Sequence, residues 1–358
     1  MVEWKNSDYK LYDDPLKFYY KMLKDIGLAK KCIFLETYRF NNDSIGLRFK
    51  NALLEKAKQG VGIKILVDSW GTGSMVGFFK ELVNNGVEVR EYKKIKLFID
   101  FFTKNHRRNH RKLLLIDHEL SYIGSANITE YSLNWRESVL RIKGRLTREL
   151  EKVFFRDFEN FQKYTLVRET NLKVFSDGGF YIYRDFPSIR QQNVMNKYLE
   201  LIKAAKREII IETPYFLPGF QLRRAMMQAA SDGKRVLVLL PKHSDVRMID
   251  ILRSKYLGPM CKSGVKFMYY TGVNLHAKAI LIDQLVFSIG SANFDYRSFR
   301  YQHEVILVGK KDVIAEQLYK HMQKTLEQCV EFNYNDWVHR PSIQKIFEWI
   351  LLPLRHLL

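Results

Sequence analysis

The sequence predicts an α/β protein made of two pseudo-twofold-related α/β/α halves, with mostly parallel sheets and one active site shared between them. Three observations lead to this prediction: apolar strands alternate with helical patterns, the alternation occurs twice in the same order, and both rounds end in one polar motif. The chain of 358 residues is long enough for two cores. We place the first half at 1–170, the second at 171–340 and an amphipathic tail at 341–358.

The repeat begins with a helical pattern that leads into a β-branched apolar strand and then into Glu-Thr. The stretch "MLKDIGLAKKCIFLETYRF", Met22–Phe40, has this order, and "YLELIKAAKREIIIETPYF", Tyr198–Phe216, repeats it. A second helix follows in each half, stops at Gly60 or Gly233 and leads into another buried strand. Strands that alternate with helices predict a mostly parallel sheet covered by helices.

Each half then carries the pattern H-x-K-x4-D-x6-G-S-x-N. A chance match has odds on the order of 10⁻⁸ per starting position at average composition, so two matches are a specific signal. The fixed positions are His110, Lys112, Asp117, Gly124, Ser125 and Asn127 in the first copy, and His276, Lys278, Asp283, Gly290, Ser291 and Asn293 in the second. The duplication predicts a shared chemical role.

The spacing predicts that four functional groups of each half converge. "HRKLLLID" and "HAKAILID" read as strands, in which residues two apart share a face, so each His is expected beside its Lys. A hairpin is predicted next, and it returns Gly-Ser and then Asn to the point where the strand began. The two sets are expected to face each other across one cleft.

An imidazole, an ammonium, a hydroxyl and an amide from each half suit phosphodiester chemistry. One imidazole attacks phosphorus and becomes a phosphohistidine, while the other protonates the leaving alkoxide and then deprotonates the incoming hydroxyl. The remaining groups stabilise charge on the non-bridging oxygens, so we expect neither a metal nor a cofactor. The predicted catalytic residues are His110, Lys112, Asp117, His276, Lys278 and Asp283, and the predicted phosphate-binding residues are Ser125, Asn127, Ser291 and Asn293.

Four carboxylates have predicted supporting roles. Asp117 and Asp283 lie at the hairpin turns, where we expect them to form the turn and orient the strand. Glu137 and Glu304 each begin another apolar run after the His of the same half. A carboxylate on the second ring nitrogen would fix the tautomer of an imidazole and stabilise its cation, so we expect these glutamates to orient the histidines.

At these residues the chain resembles the phospholipase D superfamily, whose duplicated HKD motif has this pattern, and in finer detail it resembles bacterial cardiolipin synthases. The finer resemblance rests on "ETPYFLP", "LLPKHSD", "SANFDYRSFRYQHEV" and "HRPSIQKIFEWILLPL". It implies transfer of a phosphatidyl group from one phosphatidylglycerol to another, which gives cardiolipin and glycerol. It also implies that His110 is the nucleophile and His276 the acid and base, although the pseudo-symmetry leaves the reverse order open.

The net charge of +20 indicates an anionic partner, either a membrane surface or nucleic acid. Three alternatives to the synthase therefore stay open: a phospholipase D that uses water, a phosphatidylserine synthase-type transferase and a nuclease of the same superfamily. The apolar segment Leu97–Phe102, which lies among basic residues, favours an anionic membrane containing phosphatidylglycerol. We therefore expect no nucleic-acid partner.

The tail has the pattern of an amphipathic helix between Pro341, which suits a helix start, and Pro353, which would break it. Its apolar positions are Ile343, Ile346, Phe347, Ile350 and Leu351, with Trp349 beside them. Two interpretations remain open: an interfacial helix in lipid headgroups, and a helix docked on the core. The sequence predicts no signal peptide and no membrane-spanning segment, so we expect a peripheral protein on the cytoplasmic side of a bacterial membrane.

The three cysteines, Cys32, Cys261 and Cys329, are widely spaced and form no CxxC pair. This spacing predicts neither a disulfide framework nor a zinc site.

Overall fold

The computed structural model describes residues 8–73, 76–92, 106–161, 175–177, 179–310 and 312–356. The first half alternates strands with helices and then forms a hairpin. Its elements are β1 (Asp8–Tyr12), α1 (Pro15–Gly27), β2 (Cys32–Thr37), α2 (Ser44–Lys58), β3 (Gly62–Asp68), α3 (Ser69–Thr72), α4 (Val76–Asn84), β4 (Glu88–Tyr92), β5 (Arg108–Asn109), β6 (Leu113–Ile116), β7 (Leu120–Gly124), β8 (Trp135–Arg136), β9 (Val139–Lys143) and α5 (Leu146–Asn160).

The second half follows the same plan and adds elements at its end. They are β10 (Phe175–Asp177), β11 (Phe180–Asp185), α6 (Asn193–Ala204), β12 (Glu208–Glu212), α7 (Phe220–Ser231), β13 (Arg235–Pro241), α8 (Arg247–Lys262), β14 (Lys266–Tyr270), β15 (Asn274–Leu275), β16 (Ala279–Ile282), β17 (Val286–Gly290), α9 (Tyr296–Tyr301), β18 (Gln302–Gly309), α10 (Asp312–Leu326), β19 (Cys329–Glu331), α11 (Tyr334–Val338) and α12 (Ser342–Leu351). The boundary predicted between residues 170 and 171 lies outside the described residues.

The two sheets have the same order of corresponding strands. The first sheet is β1-β9-β7-β6-β2-β3-β4, and the second contains β11-β18-β17-β16-β12-β13-β14 with β10 and β19 at its edges. Along these two strand orders the β2-β3-β4 and β12-β13-β14 segments are parallel, and the other neighbours are antiparallel. The α/β class is as predicted, but "mostly parallel" was wrong. Helical crossovers join the parallel neighbours, and the hairpins that follow them extend each sheet antiparallel.

One apolar core joins the two halves. It contains Phe34 and Leu115 of the first sheet, Leu281 of the second sheet, Phe154 of α5 and Leu318 of α10, so α5 and α10 lie in the layer that both sheets share. A second core packs α1 and α2 on the outer face of the first sheet, and a third packs α6, α7 and α8 on the second. Because the middle core draws on both halves, we expect the halves to fold as one unit.

The tail forms α12 between the two prolines predicted to limit it, followed by a 3₁₀ turn at Leu352–His356. Glu348 is buried and accepts two hydrogen bonds of 2.9 Å from the guanidinium of Arg340. Leu351 packs against the core of the second half. The other apolar positions, Ile343, Ile346, Phe347, Trp349 and Ile350, are 48–66% exposed. The helix is therefore docked along one side and presents an apolar face on the other.

Among the described residues, no helix is both long enough and apolar enough to cross a membrane. The segment Leu97–Phe102, which the sequence predicts to contact lipid, lies outside the described residues.

Candidate active site

Two short parallel strand pairs connect the halves at the point where the histidines lie. β5 pairs with β18, and the backbone N–H of His110 donates to the carbonyl of His303 at 3.1 Å. β15 pairs with β8, and the N–H of His276 donates to the carbonyl of Arg136 at 2.8 Å. Each histidine is thus held by a strand of the other half. The stretches 110–112 and 276–278 follow these pairs as connections, and the regular strands start only at Leu113 and Ala279, later than predicted.

Each imidazole binds a glutamate from the opposite half. His110 Nδ1 lies 3.0 Å from Glu304 Oε1, and His276 Nδ1 lies 2.8 Å from Glu137 Oε1. All four side chains are buried. An ionised carboxylate can only accept a hydrogen bond, so the ionised form of each glutamate holds a proton on Nδ1 and leaves Nε2 with a lone pair for chemistry. The sequence selected both glutamates, but the pairing crosses between the halves.

The two motif serines hold these glutamates in place. The hydroxyl of Ser125 donates to Glu137 and accepts from the N–H of Ser138 at 2.9 Å. The hydroxyl of Ser291 donates to Glu304 and accepts from the N–H of Val305 at 3.0 Å. A hydroxyl has one proton, and here it goes to a carboxylate, so it cannot also go to a phosphate. This corrects the prediction that Ser125 and Ser291 bind phosphate.

The two motif lysines are buried beside the histidines. Lys112 Nζ donates to the carbonyl of His110 at 2.6 Å, and Lys278 Nζ donates to that of His276 at 2.8 Å. Burial lowers the pKa of Lys278 to about 8. Burial, and after it the charge of Lys278, lowers the pKa of Lys112 well below its usual value. The two ammonium groups are therefore near enough to repel each other, as expected if both motif copies belong to one site.

The motif asparagines leave polar atoms without partners in this site. Oδ1 of Asn127 and Oδ1 of Asn293 are buried and accept no hydrogen bond from any described residue. An unpaired buried amide oxygen is costly, and only a ligand group that donates a hydrogen bond, such as a hydroxyl, would complete it. The contacts of the histidines, lysines and glutamates bring those residues of both halves together.

Asp117 and Asp283 lie away from this site. Asp117 accepts hydrogen bonds from the backbone N–H groups of Lys30, Lys31 and Cys32, at 2.7–3.0 Å. Asp283 accepts from Lys206, Arg207 and Glu208 at 2.7–2.9 Å in the same way. Both aspartates have positive φ angles, of 54° and 52°. Their inclusion in the catalytic set is corrected, because their carboxylates are used to fasten the hairpin turn to the start of β2 or β12.

The two imidazoles have different electrostatic surroundings. Burial lowers the pKa of His110 well below its usual value, and Lys112 and Lys278 lower it further. Burial also lowers the pKa of His276, but Glu137 offsets part of that effect. Burial alone would raise the pKa of Glu137, yet attraction to His276 and Lys278 outweighs it and leaves the pKa lowered. By contrast, burial raises the pKa of Glu304 to about 8.

Three further residues frame the site: Tyr38, whose place after a strand end predicts a position near the cleft, and Trp135 and Arg111, which sequence reasoning missed. The ring of Tyr38 packs edge-on against His110 with centroids 5.2 Å apart, and the ring of Trp135 lies 5.3 Å from His276. Arg111, between His110 and Lys112, is fully buried. Tyr38 directly follows β2, and Trp135 begins β8, two residues before Glu137. An aromatic residue at such a position is a sequence signal that indicates a place near the site. Arg111 occupies a position that the repeat leaves variable, since the second copy has Ala277 there.

Comparison with known proteins identifies the family. A family model described as cardiolipin synthase, PLD-like domain, matches residues 22–160 and 198–326. The chain belongs to this family. The cardiolipin synthase of Clostridium perfringens strain SM101 is 31% identical over 369 residues, which cover 97% of this chain and 76% of that protein. The major cardiolipin synthase ClsA of Bacillus subtilis strain 168 is 31% identical over 343 residues, with 92% and 70% covered. The resemblance to bacterial cardiolipin synthases is confirmed.

Solved structures place this phospholipase D-like chain in the same fold. A phosphatidylserine synthase from Haemophilus influenzae superposes with a TM-score of 0.76 at 12% identity, over 98% of this chain and 95% of that one. A polyphosphate kinase from Porphyromonas gingivalis gives a TM-score of 0.65 at 10% identity, over 92% and 49%. At such identities the likeness extends to the fold alone.

Proposed function

We propose that the protein is a phosphatidyltransferase that converts two phosphatidylglycerol molecules into cardiolipin and glycerol. The observation that carries the proposal is the pair of imidazoles in one buried site, each held at Nδ1 by a glutamate of the other half. This arrangement offers two Nε2 atoms, one to attack phosphorus and one to exchange a proton with the leaving and entering oxygens. Membership of the cardiolipin synthase family supports the choice of lipid.

The reaction is balanced as two displacements at phosphorus. In the first, Nε2 of His110 attacks, the P–O bond to glycerol breaks, and His276 gives its proton to the glycerol oxygen. In the second, neutral His276 takes the proton from a hydroxyl of the second phosphatidylglycerol, whose oxygen attacks phosphorus and displaces His110. Lys112 and Lys278 stabilise the non-bridging oxygens in both steps, together with the amides of Asn127 and Asn293.

The different surroundings of the two histidines support one order of roles in the proposed mechanism. A nucleophile needs a neutral ring, and the pKa of His110 lies well below its usual value. A general acid must be able to carry a proton as an imidazolium cation. His276 binds Glu137, whose lowered pKa keeps it a carboxylate that stabilises this cation and offsets part of the effect of burial on His276. We therefore assign His110 as the nucleophile and His276 as the acid and base.

The reaction products test the proposal directly. The purified protein is incubated with phosphatidylglycerol vesicles in EDTA, and lipids and released glycerol are measured by mass spectrometry. We expect cardiolipin and free glycerol in equal amounts. Phosphatidic acid alone would indicate a hydrolase that admits water, and phosphatidylserine formed only when serine is added would indicate a different acceptor. Cleavage of single-stranded DNA without any lipid product would replace the proposal with a nuclease.

Substrate binding is expected to draw protons into the site. The pKa of Lys278 is about 8, and that of Lys112 is also lowered. Part of the positive charge of these two lysines is therefore absent at pH 8. A bound phosphodiester anion raises both pKa values, so protons are taken up on binding. Calorimetry with glycerophosphoglycerol at pH 8, in buffers of different ionisation enthalpy, measures the uptake, because the charge of this ligand is constant there. We expect net uptake at pH 8, and a smaller uptake in Lys278→Met. Equal uptake in Lys278→Met would contradict this assignment.

We further propose that the exposed face of α12 seats the protein on an anionic membrane, as a peripheral protein. Several large apolar side chains are exposed on a chain of net charge +20, which favours a lipid surface of opposite charge as the occupant. Lys255, on the neighbouring α8, lies 3.4 Å from the centre of the Trp349 ring, so a cation borders this face. The location on the cytoplasmic side stays a prediction.

Replacing Ile343, Phe347 and Ile350 together by serine is expected to weaken binding to phosphatidylglycerol vesicles. Each lost apolar contact is worth on the order of 1 kcal/mol, so the partition coefficient should fall by roughly 100-fold. Turnover in detergent should change little. Sedimentation with vesicles measures the effect. The matched control replaces Leu16, Tyr20 and Leu28, which are 61–64% exposed on or next to α1, by serine. Equal losses in both triple variants would mean that α12 has no special role.

A further inference from the structure

Three potential metal ligands meet outside the active site, at the turn between β6 and β7. Cys32 Sγ lies 3.4 Å from His118 Nε2 and 3.9 Å from His118 Nδ1. His118 Nδ1 lies 3.0 Å from both carboxylate oxygens of Glu151. One ligand atom from each residue can be chosen so that all three lie within 4.8 Å of one another. The cluster joins the first residue of β2, the hairpin turn and helix α5.

The distances suit a small tetrahedral ion. Bonds of about 2.3 Å to sulfur and about 2.0–2.2 Å to nitrogen and oxygen place neighbouring ligand atoms roughly 3.3–3.6 Å apart. With Nδ1 as the imidazole ligand, the separations of 3.9 Å to sulfur and 3.0 Å to oxygen lie on either side of that range.

We infer that Cys32, His118 and Glu151 form a binding site for a divalent transition-metal ion of the zinc class. A thiolate, an imidazole and a carboxylate are all ligands that such ions accept. The His118 side chain is 41% exposed, so water can reach the ion and fill the fourth position. The sequence predicts no zinc site, because it offers no CxxC pair and the three ligands are far apart in the chain.

The second half supplies an internal comparison. Its turn has the same backbone: φ is 52° and 59° at Asp283 and Gln284, against 54° and 64° at Asp117 and His118. There, however, Gln284 donates a hydrogen bond of 3.1 Å to Glu208, and Arg235 forms an ion pair with the same carboxylate. The turn in the second half is therefore built without histidine. The charge of Glu208 is neutralised there by Arg235. In the first half the corresponding positions, 32 and 118, hold a thiol and an imidazole.

The proposed ion would stabilise the first half without entering the reaction. His118 follows Lys112 by six positions, and four of the residues between them form β6, so the cluster lies on the order of 15–20 Å from the motif lysine. The ion would tie β2, the hairpin and α5 together, and α5 packs in the core that both halves share. Chelation is therefore expected to lower the melting temperature and to leave phosphatidyl transfer largely intact.

Cobalt titration of the full chain, first stripped of metal, tests the site. Binding of one Co²⁺ through Cys32 should produce a thiolate-to-cobalt charge-transfer band in the near ultraviolet. The band should be absent in Cys32→Ser and present in Cys261→Ser. His118→Gln, which introduces the residue found in the second half, and Glu151→Gln should weaken binding at least tenfold. Zinc should raise the melting temperature of the natural protein and of Cys261→Ser, but not that of His118→Gln.

The outcomes separate a metal site from an ordinary hydrogen-bonded cluster. His118→Gln is expected to fold, because the second half builds the same turn with glutamine, and circular dichroism verifies this. The proposal is overturned if no stoichiometric band appears, if the band persists in Cys32→Ser, or if zinc stabilises His118→Gln as much as the natural protein.

Discussion

Replacing His110 by alanine is expected to abolish phosphatidyl transfer and the covalent intermediate together. The nucleophile is then missing, and loss of a nucleophile in a covalent mechanism costs on the order of 10⁴-fold or more in turnover. His276→Ala should also lose cardiolipin formation, because neither the leaving nor the entering oxygen can exchange its proton. Acid-quenched protein analysed by mass spectrometry shows whether a phosphatidyl group remains attached, and to which histidine.

A substrate with a better leaving group separates the two roles. In phosphatidyl-p-nitrophenol the phenolate leaves without being protonated, so its first displacement does not need the acid. His276→Ala should therefore release about one equivalent of nitrophenolate in a burst and accumulate the intermediate on His110, since the second displacement still lacks its base. His110→Ala should give no burst with this substrate.

The control is a histidine remote from the site. His339 is exposed on the surface, and its Nδ1 bonds to the carbonyl of Asn335 within its own helical turn, so His339→Ala should keep normal turnover. A burst in His110→Ala, with the phosphatidyl group on His276, would reverse the order assigned to the two residues. Full cardiolipin synthesis in either single variant would contradict the shared site itself.

The duplicated motif carried most of the information that the sequence held about the site. A repeat in identical register identifies the His, Lys and Asn residues, because chance does not preserve six fixed positions twice. It also marks Glu137 and Glu304, each of which is the polar residue at the start of an apolar run. These inferences need only local spacing, and the structure brings the histidines, lysines and glutamates together.

The exchange of glutamates between halves could not be read from spacing. It depends on β5 pairing with β18 and β8 pairing with β15, and each of these ladders is only two residues long. Pairings so short have no recognisable periodicity, and they join segments far apart in the chain. The crossed pairing has a functional consequence, because each imidazole is oriented only when the two halves are assembled.

The serines and aspartates of the motif illustrate a different limit. The repeat indicates that a residue type is required at a position, but it does not say whether the requirement is chemical or structural. Ser125 and Ser291 hold carboxylates, and Asp117 and Asp283 accept three backbone N–H groups each. Hydrogen-bond partners distinguish these roles, and partners follow from tertiary structure.

Arg111 was missed because it lies in a variable position of the repeat, yet it has a large structural role. Its side chain forms an ion pair with Asp157 of α5, Nε donates to the carbonyl of Glu304 at 3.1 Å, and Nη2 donates to that of Asp185 at 3.0 Å. Burial lowers its pKa to about 10, so it remains charged at neutral pH. One fully buried guanidinium thus connects the helix of the first half to two strands of the second.

Replacing Arg111 by methionine is expected to lower the free energy of unfolding by about 3–5 kcal/mol. Removal of Arg111 takes the paired guanidinium from the buried carboxylate of Asp157, which also lies 3.1 Å from His303 Nδ1, and a buried charge that loses its partner is costly. Denaturant unfolding measures the change. Arg190→Met, at an exposed position, is the matched control and should stay within about 0.5 kcal/mol of the natural protein.

A second substitution at the ion pair identifies the cause of this loss. If the cost is the stranded carboxylate, Arg111→Met combined with Asp157→Leu should recover part of the stability, because no buried charge is then left unpaired. If the double variant is no more stable than Arg111→Met, the two backbone carbonyls are the more important partners. In that case Arg111→Met should also lower turnover in the fraction of protein that remains folded. The reason is that Arg111 holds the carbonyl of Glu304, and the carboxylate of the same residue orients His110.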